Sequence, residues 1–130
     1  MNYPIGDMLI RIKNASQARH VSVEVPFSGF GERMAKFLVQ EGYLGEVQVE
    51  GDGKNRKIKM GLKYLGKNAM VNRVKQISKP GLRKYYKTKD LNGFRQSSDS
   101  LVILSTPQGL TTLKEARKKK VGGELLFEIW

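Results

Sequence analysis

Hydrophobic residues recur along this chain with two different periods, and the switches between them mark out its elements. After Pro4, suited to a helix's first turn, Ile5, Met8, Leu9, Ile12 and Ala15 return every three or four residues, which predicts an amphipathic helix. Val21, Val23 and Val25 then alternate with Ser22 and Glu24 as a half-buried strand ended by Pro26. Helical spacing resumes at Phe30, Met34, Phe37 and Leu38 and closes at Gly42. Val47 and Val49, then Ile58, Met60 and Leu62, form two alternating runs joined by Gly51-Asp52-Gly53-Lys54-Asn55, which reads as a hairpin. The stretch Tyr64 to Met70, with Gly66 inside, is the expected boundary, giving domains 1–65 and 66–130.

In the second half, Val71 to Ile77 predicts a strand, Pro80-Gly81 a type II turn, and Asp90 to Ser100 a polar, turn-prone connection. Leu101-Val102-Ile103-Leu104, bounded by polar residues, reads as a short core strand that leaves Ser105 and Thr106 at its end. The chain is expected to turn at Pro107-Gln108-Gly109, and Thr111 or Thr112 to cap a helix carrying Lys114, Arg117, Lys118, Lys119 and Lys120. Gly122-Gly123 ends that helix. Leu125, Phe127 and Ile129, alternating with Leu126, Glu128 and Trp130, form a closing strand.

Charge changes the picture most. The 24 Lys and Arg against 12 Asp and Glu leave +12 and a pI near 10.0, a balance suited to a polyanionic partner. Residues 1–65 hold ten Lys and Arg against seven acids, +3, and residues 66–130 hold fourteen against five, +9, so the second half is the better binding surface. With no cysteine there is no disulfide, thiolate metal site or cysteine nucleophile. No apolar run approaches the ~20 residues that span a bilayer. Asp7, Arg11 and Lys13 stand where a signal peptide needs its apolar stretch, which points to the cytoplasm and to no membrane partner.

No catalytic constellation is apparent. His20 is the single histidine, Ser105 has no base within sequence reach, and one acid beside the glycines, Glu124, is too few for metal-assisted hydrolysis. The Gly51-Asp52-Gly53-Lys54 fragment lacks the spacing and following helix of a phosphate-cradling loop. Neither a metal nor a cofactor is expected. Nucleic-acid chemistry fits better. Lys79, Arg83, Tyr85 and Lys87 interleave cations with an aromatic ring, and Ser105, Thr106, Gly122, Gly123 and Glu124 supply hydroxyls, close backbone and a carboxylate. Of Tyr85 and Tyr86, either both stack on bases or one is core and the other rim. Arg11 lies off its helix's apolar stripe, solvated or near phosphate. Two readings stand at this point: a reader of one structured RNA, and a general basic nucleic-acid-binding protein for DNA or messenger RNA.

Four segments carry a resemblance. NYPIGDMLIRIKNA at residues 2–15, ISKPGLRKY at 77–85, STPQGLTT at 105–112 and VGGE at 121–124 resemble, in order and spacing, the family of the bacterial eighth small-subunit ribosomal protein. The chain departs from that family at Pro107 and Gln108, where a serine and a basic residue are usual, and at Gly29 and Phe30, where a lysine commonly follows the serine that here is Ser28. Tyr86 and Gln96-Ser97-Ser98-Asp99 depart as well. The resemblance implies an α/β (α+β) protein with an N-terminal α-β-α-β-β subdomain and a mainly β C-terminal subdomain with one short helix. It implies a non-catalytic constituent of the small subunit that binds the central domain of small-subunit rRNA, supports assembly and touches neighbouring ribosomal proteins. In some members the same surface binds operon mRNA and represses translation. By the same resemblance Ser105 and Thr106 contact bases and sugars, and Gly122, Gly123 and Glu124 wall the site, with Glu124 accepting from the Ser-Thr turn or an exocyclic amine. Lys79, Arg83, Tyr85 and Lys87 follow the backbone or stack, and Ser28 sits at a phosphate contact.

Overall fold

A computed structural model describes residues 4–96 and 99–130, so Met1, Asn2, Tyr3, Ser97 and Ser98 lie outside the described residues. The chain divides into two compact units, the first ending at Asn72 and the second running from Arg73 to Trp130.

In the first unit, helix α1 (Pro4–Gln17) precedes strand β1 (Ser22–Pro26), helix α2 (Gly29–Gln40) and strands β2 (Leu44–Glu50) and β3 (Lys57–Leu62). The sheet is antiparallel in the order β1-β3-β2. Alternation along β3 buries Ile58 and Met60 and exposes Lys57 and Lys59. Met8, Leu9, Ile12, Met34, Ala35 and Leu38 of the two helices are also buried, so apolar spacing in both periods converges on one core. Val21 departs from its expected half-buried place: it precedes β1 and is 84% exposed. A two-strand hairpin, β4 (Tyr64–Leu65) with β5 (Asn68–Ala69), turns at Gly66 and belongs to this unit, which therefore extends seven residues beyond 65. Its anchor is the Tyr64 hydroxyl, which donates to the His20 carbonyl at 2.6 Å.

The second unit holds strands β6 (Val74–Gln76) and β7 (Tyr85–Tyr86), helix α3 (Thr88–Leu91), strands β8 (Leu101–Thr106) and β9 (Gly109–Thr112), helix α4 (Leu113–Lys119) and strand β10 (Gly123–Ile129). β10 is central, antiparallel to β6 and β7 on one side and to β8 on the other, and β8 continues into β9. Position explains why the alternation read from residues 125–130 fails: Glu124 through Ile129 are all buried, and the register against β8 shifts between Leu125 and Phe127. One core gathers Leu91, Val102, Leu104, Leu113, Ala116 and Leu125.

Two elements of this unit differ from expectation. The chain after Gly109 runs as a strand before becoming a helix, because Thr106 and Gly109 pair across a tight turn. The single expected short helix is joined by a second, α3, which runs into the start of the polar stretch from Asp90; Leu91, fully buried, fixes it to the core. Thr112, not Thr111, is the cap of α4, its hydroxyl accepting from the Glu115 N–H at 3.1 Å.

Candidate functional site

The central strand of the second unit starts with two glycines because its neighbours leave no room for a side chain. A Cβ on Gly122 would lie 2.5 Å from the Tyr86 carbonyl oxygen, and one on Gly123 would overlap the Ser105 carbonyl oxygen. The start of β10 is thus pressed between β7 and the end of β8, and all three strands end at one edge of the sheet. There they enclose an open groove of about 750 Å³. Its walls are Tyr85, Tyr86 and Lys87 on one side, Ser105, Thr106 and Pro107 on another, and Gly122, Gly123 and Glu124 between.

The two hydroxyls named from sequence are not equivalent. Thr106 Oγ1 donates to the Gly109 carbonyl at 2.8 Å and accepts from the Gln108 N–H at 3.1 Å, so it closes the β8–β9 turn. The half-buried Ser105 hydroxyl makes no hydrogen bond among the described residues. The tyrosines divide in the same way. Tyr86 packs against the core with its ring edge-on to Phe94, centroids 5.8 Å apart, while Tyr85 is 71% exposed. A free hydroxyl, a bare stretch of main chain and an accessible ring therefore share one groove.

Glu124 has a partner that the sequence did not suggest: its carboxylate accepts from the Arg83 guanidinium at 3.1 Å, a pair far less exposed on the glutamate side than on the arginine side. The ion pair holds Arg83 beside the groove, with the arginine side chain 45% exposed. Lys79 sits on the turn below. Lys79 and Leu82 exchange backbone hydrogen bonds of 3.1 and 2.9 Å around Pro80-Gly81, with Gly81 at φ +87°. Ser78 was missed from sequence: fully buried, its hydroxyl accepts from the Lys84 N–H at 2.8 Å and closes the loop that presents Arg83 and Tyr85. Its position two residues before Pro-Gly was the available signal.

The cation row of α4 also splits. Arg117 turns inward, donating to the Leu91 carbonyl at 3.1 and 2.8 Å and to the Phe94 carbonyl at 2.8 Å, so it braces α3 rather than facing solvent. Lys118, Lys119 and Lys120 stay exposed. Thr88 of the groove donates to the Lys120 carbonyl at 3.0 Å, tying the groove wall to the helix end.

Ser28 and Arg11 belong to the first unit and are not among the residues that line the groove. Ser28 caps α2, its hydroxyl accepting from the Gly31 N–H at 2.9 Å, and Arg11 pairs with Asp7 at 3.1 Å. In the same unit, burial of the Tyr43 phenol, helped by the nearby Glu41 carboxylate, raises its pKa above the ordinary value. No group of three or more metal-ligating side chains is found among the described residues.

A family model described as "Ribosomal protein S8" matches residues 3–130. The chain belongs to the ribosomal protein S8 family. It is 43% identical over 128 residues to the small ribosomal subunit protein uS8 of Mycoplasmopsis synoviae, covering 98% of this chain and 96% of that one. It is 44% identical to the uS8 of Clostridium novyi over 134 residues, covering 100% and 98%, and 44% identical to that of Dictyoglomus thermophilum over 127 residues, covering 98% and 96%. As an S8 protein the chain is a structural protein of the small ribosomal subunit and not an enzyme, and its mixed α+β architecture fits that family. The reading as a basic protein outside the ribosome falls with this match.

Proposed function

We propose that the groove at the head of β10 is the surface with which this S8 protein binds the central domain of small-subunit rRNA and so supports subunit assembly. The observation that carries the reading is the uncommitted Ser105 hydroxyl beside side-chain-free backbone at Gly122 and Gly123. A base or ribose entering there meets a hydroxyl able to donate and accept, main chain it can approach closely, and the exposed face of Tyr85. Arg83, Lys79 and Lys87 then meet the phosphates around it. The unit from Arg73 to Trp130 carries thirteen Lys and Arg against five acids, +8, the electrostatic half of the same reading.

In this reading Ser105 and the glycines select the shape, Thr106 holds the turn that presents Ser105, and Glu124 acts by orienting Arg83. A messenger RNA folded like the ribosomal site would fit the same groove, which is the basis for translational repression of the operon.

Footprinting of the purified protein on its own small-subunit rRNA tests the proposal. Protection of one irregular helix in the central domain is expected, reduced by Ser105→Ala with Thr106→Ala far more than binding to a generic duplex of equal length. Equal losses on both RNAs would remove the groove from the reading.

A further inference from the structure

We propose that Arg117 is a positioning residue for RNA recognition: it sets the groove wall at residues 85–88 without touching RNA itself, an inference that rests on the RNA-binding reading above. That wall has little local support. Strand β7 is two residues long and α3 four, both too short to persist without anchors elsewhere in the unit. Yet the wall must keep its place closely, because a Cβ on Gly122 would lie 2.5 Å from the Tyr86 carbonyl oxygen and 3.1 Å from both Lys87 Cα and the Thr88 nitrogen.

The support comes from α4. Leu113 and Ala116 of that helix are buried, and Arg117, four residues after Leu113, leaves on the same face. Its guanidinium reaches the C-terminal end of α3. Nε and Nη2 both donate to the Leu91 carbonyl, at 3.1 and 2.8 Å, and Nη2 donates also to the Phe94 carbonyl at 2.8 Å. Phe94 meets Tyr86 edge-on, and Thr88, the first residue of α3, donates to the Lys120 carbonyl at 3.0 Å. The wall is therefore pinned to α4 at both ends of α3. Arg117 does not line the groove and forms no ion pair among the described residues, so its charge is directed at carbonyls rather than at a carboxylate. A lysine has no planar fork with which to serve both carbonyls. A wall fixed before RNA arrives does not have to be ordered on binding, and that raises affinity for a fitting shape.

The test uses the full chain, a transcript of the central domain of the same organism's small-subunit rRNA, and a generic duplex of equal length. Arg117→Met keeps the apolar stem and removes the three hydrogen bonds. It is expected to weaken transcript binding about tenfold, to leave duplex affinity and the salt slope at their wild-type values, and to speed amide hydrogen exchange at Leu91 and Phe94. Arg117→Lys retains the charge, so its smaller loss on the transcript, about threefold, comes from the missing fork. It decides the matter where Arg117→Met unfolds. Binding is measured well below the unfolding midpoint of each variant, so lowered stability alone does not change the ratio of the two affinities. Equal losses on both RNAs with a flattened salt slope in Arg117→Met would make Arg117 a phosphate contact and overturn the proposal, as would wild-type transcript affinity in both variants or unchanged exchange at the two amides. Ser105→Ala keeps the two readings apart. Lost selectivity in Ser105→Ala beside wild-type selectivity in both Arg117 variants sinks the positioning role alone; unchanged selectivity in Ser105→Ala sinks the groove reading and this inference with it, even where exchange at Leu91 and Phe94 still reports the clamp.

Discussion

Ser28 and Ser105 stand at similar places in local structure, each near the C-terminal end of a strand, yet among the described residues only the Ser28 hydroxyl is used by the fold. Ser28 completes a helix end that would otherwise leave an N–H unsatisfied, and its hydroxyl is held there at 2.9 Å. Ser105 lies one residue before the end of a strand whose last residue, Thr106, already closes the turn, and its own hydroxyl makes no hydrogen bond among the described residues. The two units differ in the same sense at their glycines. Gly42 in the first unit has φ +87° and open space around it, a turn requirement only, whereas Gly123 in the second has a neighbouring carbonyl where a Cβ would go. A polar or small residue becomes a binding element when local structure brings it to the surface without using it.

The largest test of this contrast is at the glycines. Gly123→Ala forces β10 away from β8 along the groove floor and is expected to cost about 3 kcal/mol, with loss of RNA binding even where the protein still folds. Gly42→Ala meets no atom, only the left-handed backbone, and should cost about 1–2 kcal/mol with RNA affinity unchanged. Denaturant midpoints and filter binding of both variants decide it. Similar stability losses in the two would mean that β10 can shift and that the close approach is not required.

The next pair is the serines themselves. Ser105→Ala is expected to leave the unfolding midpoint within about a degree while lowering affinity for the cognate RNA about tenfold, the effect of one hydrogen bond made in an otherwise desolvated site. Ser28→Ala should do the reverse, losing about 1 kcal/mol of stability with the cap and leaving RNA affinity at the wild-type value. Calorimetry and a binding titration on the same preparations read both. If Ser28→Ala weakens RNA binding at unchanged stability, the turn before α2 contacts RNA and the contrast is lost.

These pairs also show where the sequence was legible. Helices and strands with a clean apolar period, α1, α2, β3 and β8, could be read because each buries one face or both without interruption. β9, α3 and the β4–β5 hairpin could not: they are two to four residues long, β9 following from the local Thr106 turn and the other two from anchors across the fold, buried Leu91 and the Tyr64–His20 bond. The groove was half visible. Tyr85, Lys87, Ser105, Thr106 and Gly122 to Glu124 do line one cavity, since the motif residues lie at strand ends. Which hydroxyl is free, that Glu124 pairs with Arg83 and that Arg117 turns inward depend on distances across the fold, which spacing along the chain does not encode.

Thr106 sharpens the serine comparison within a single dipeptide. Thr106→Val keeps the branched shape and removes both turn hydrogen bonds, so a loss of about 1 kcal/mol in stability is expected, with a cognate-RNA loss smaller than that of Ser105→Ala. A larger RNA loss than for Ser105→Ala would show that the threonine hydroxyl leaves the turn to meet the RNA.

The smallest effect is expected at the end of α4, where charge alone is at issue. Lys119 is exposed on the last turn of the helix, and no ion pair holds it among the described residues. Lys119→Gln should therefore leave the fold intact and weaken cognate and generic RNA by the same factor, about threefold or less, while flattening the salt slope by up to about 0.9. Lys118, drawn toward Glu115 at 4.0 Å, should show a smaller change still, because part of its charge is already balanced. Parallel salt titrations on the two RNAs separate this from the groove: a lysine that lowers only cognate binding reads shape and joins Ser105, whereas equal loss on both keeps it among the residues that contribute attraction without selection.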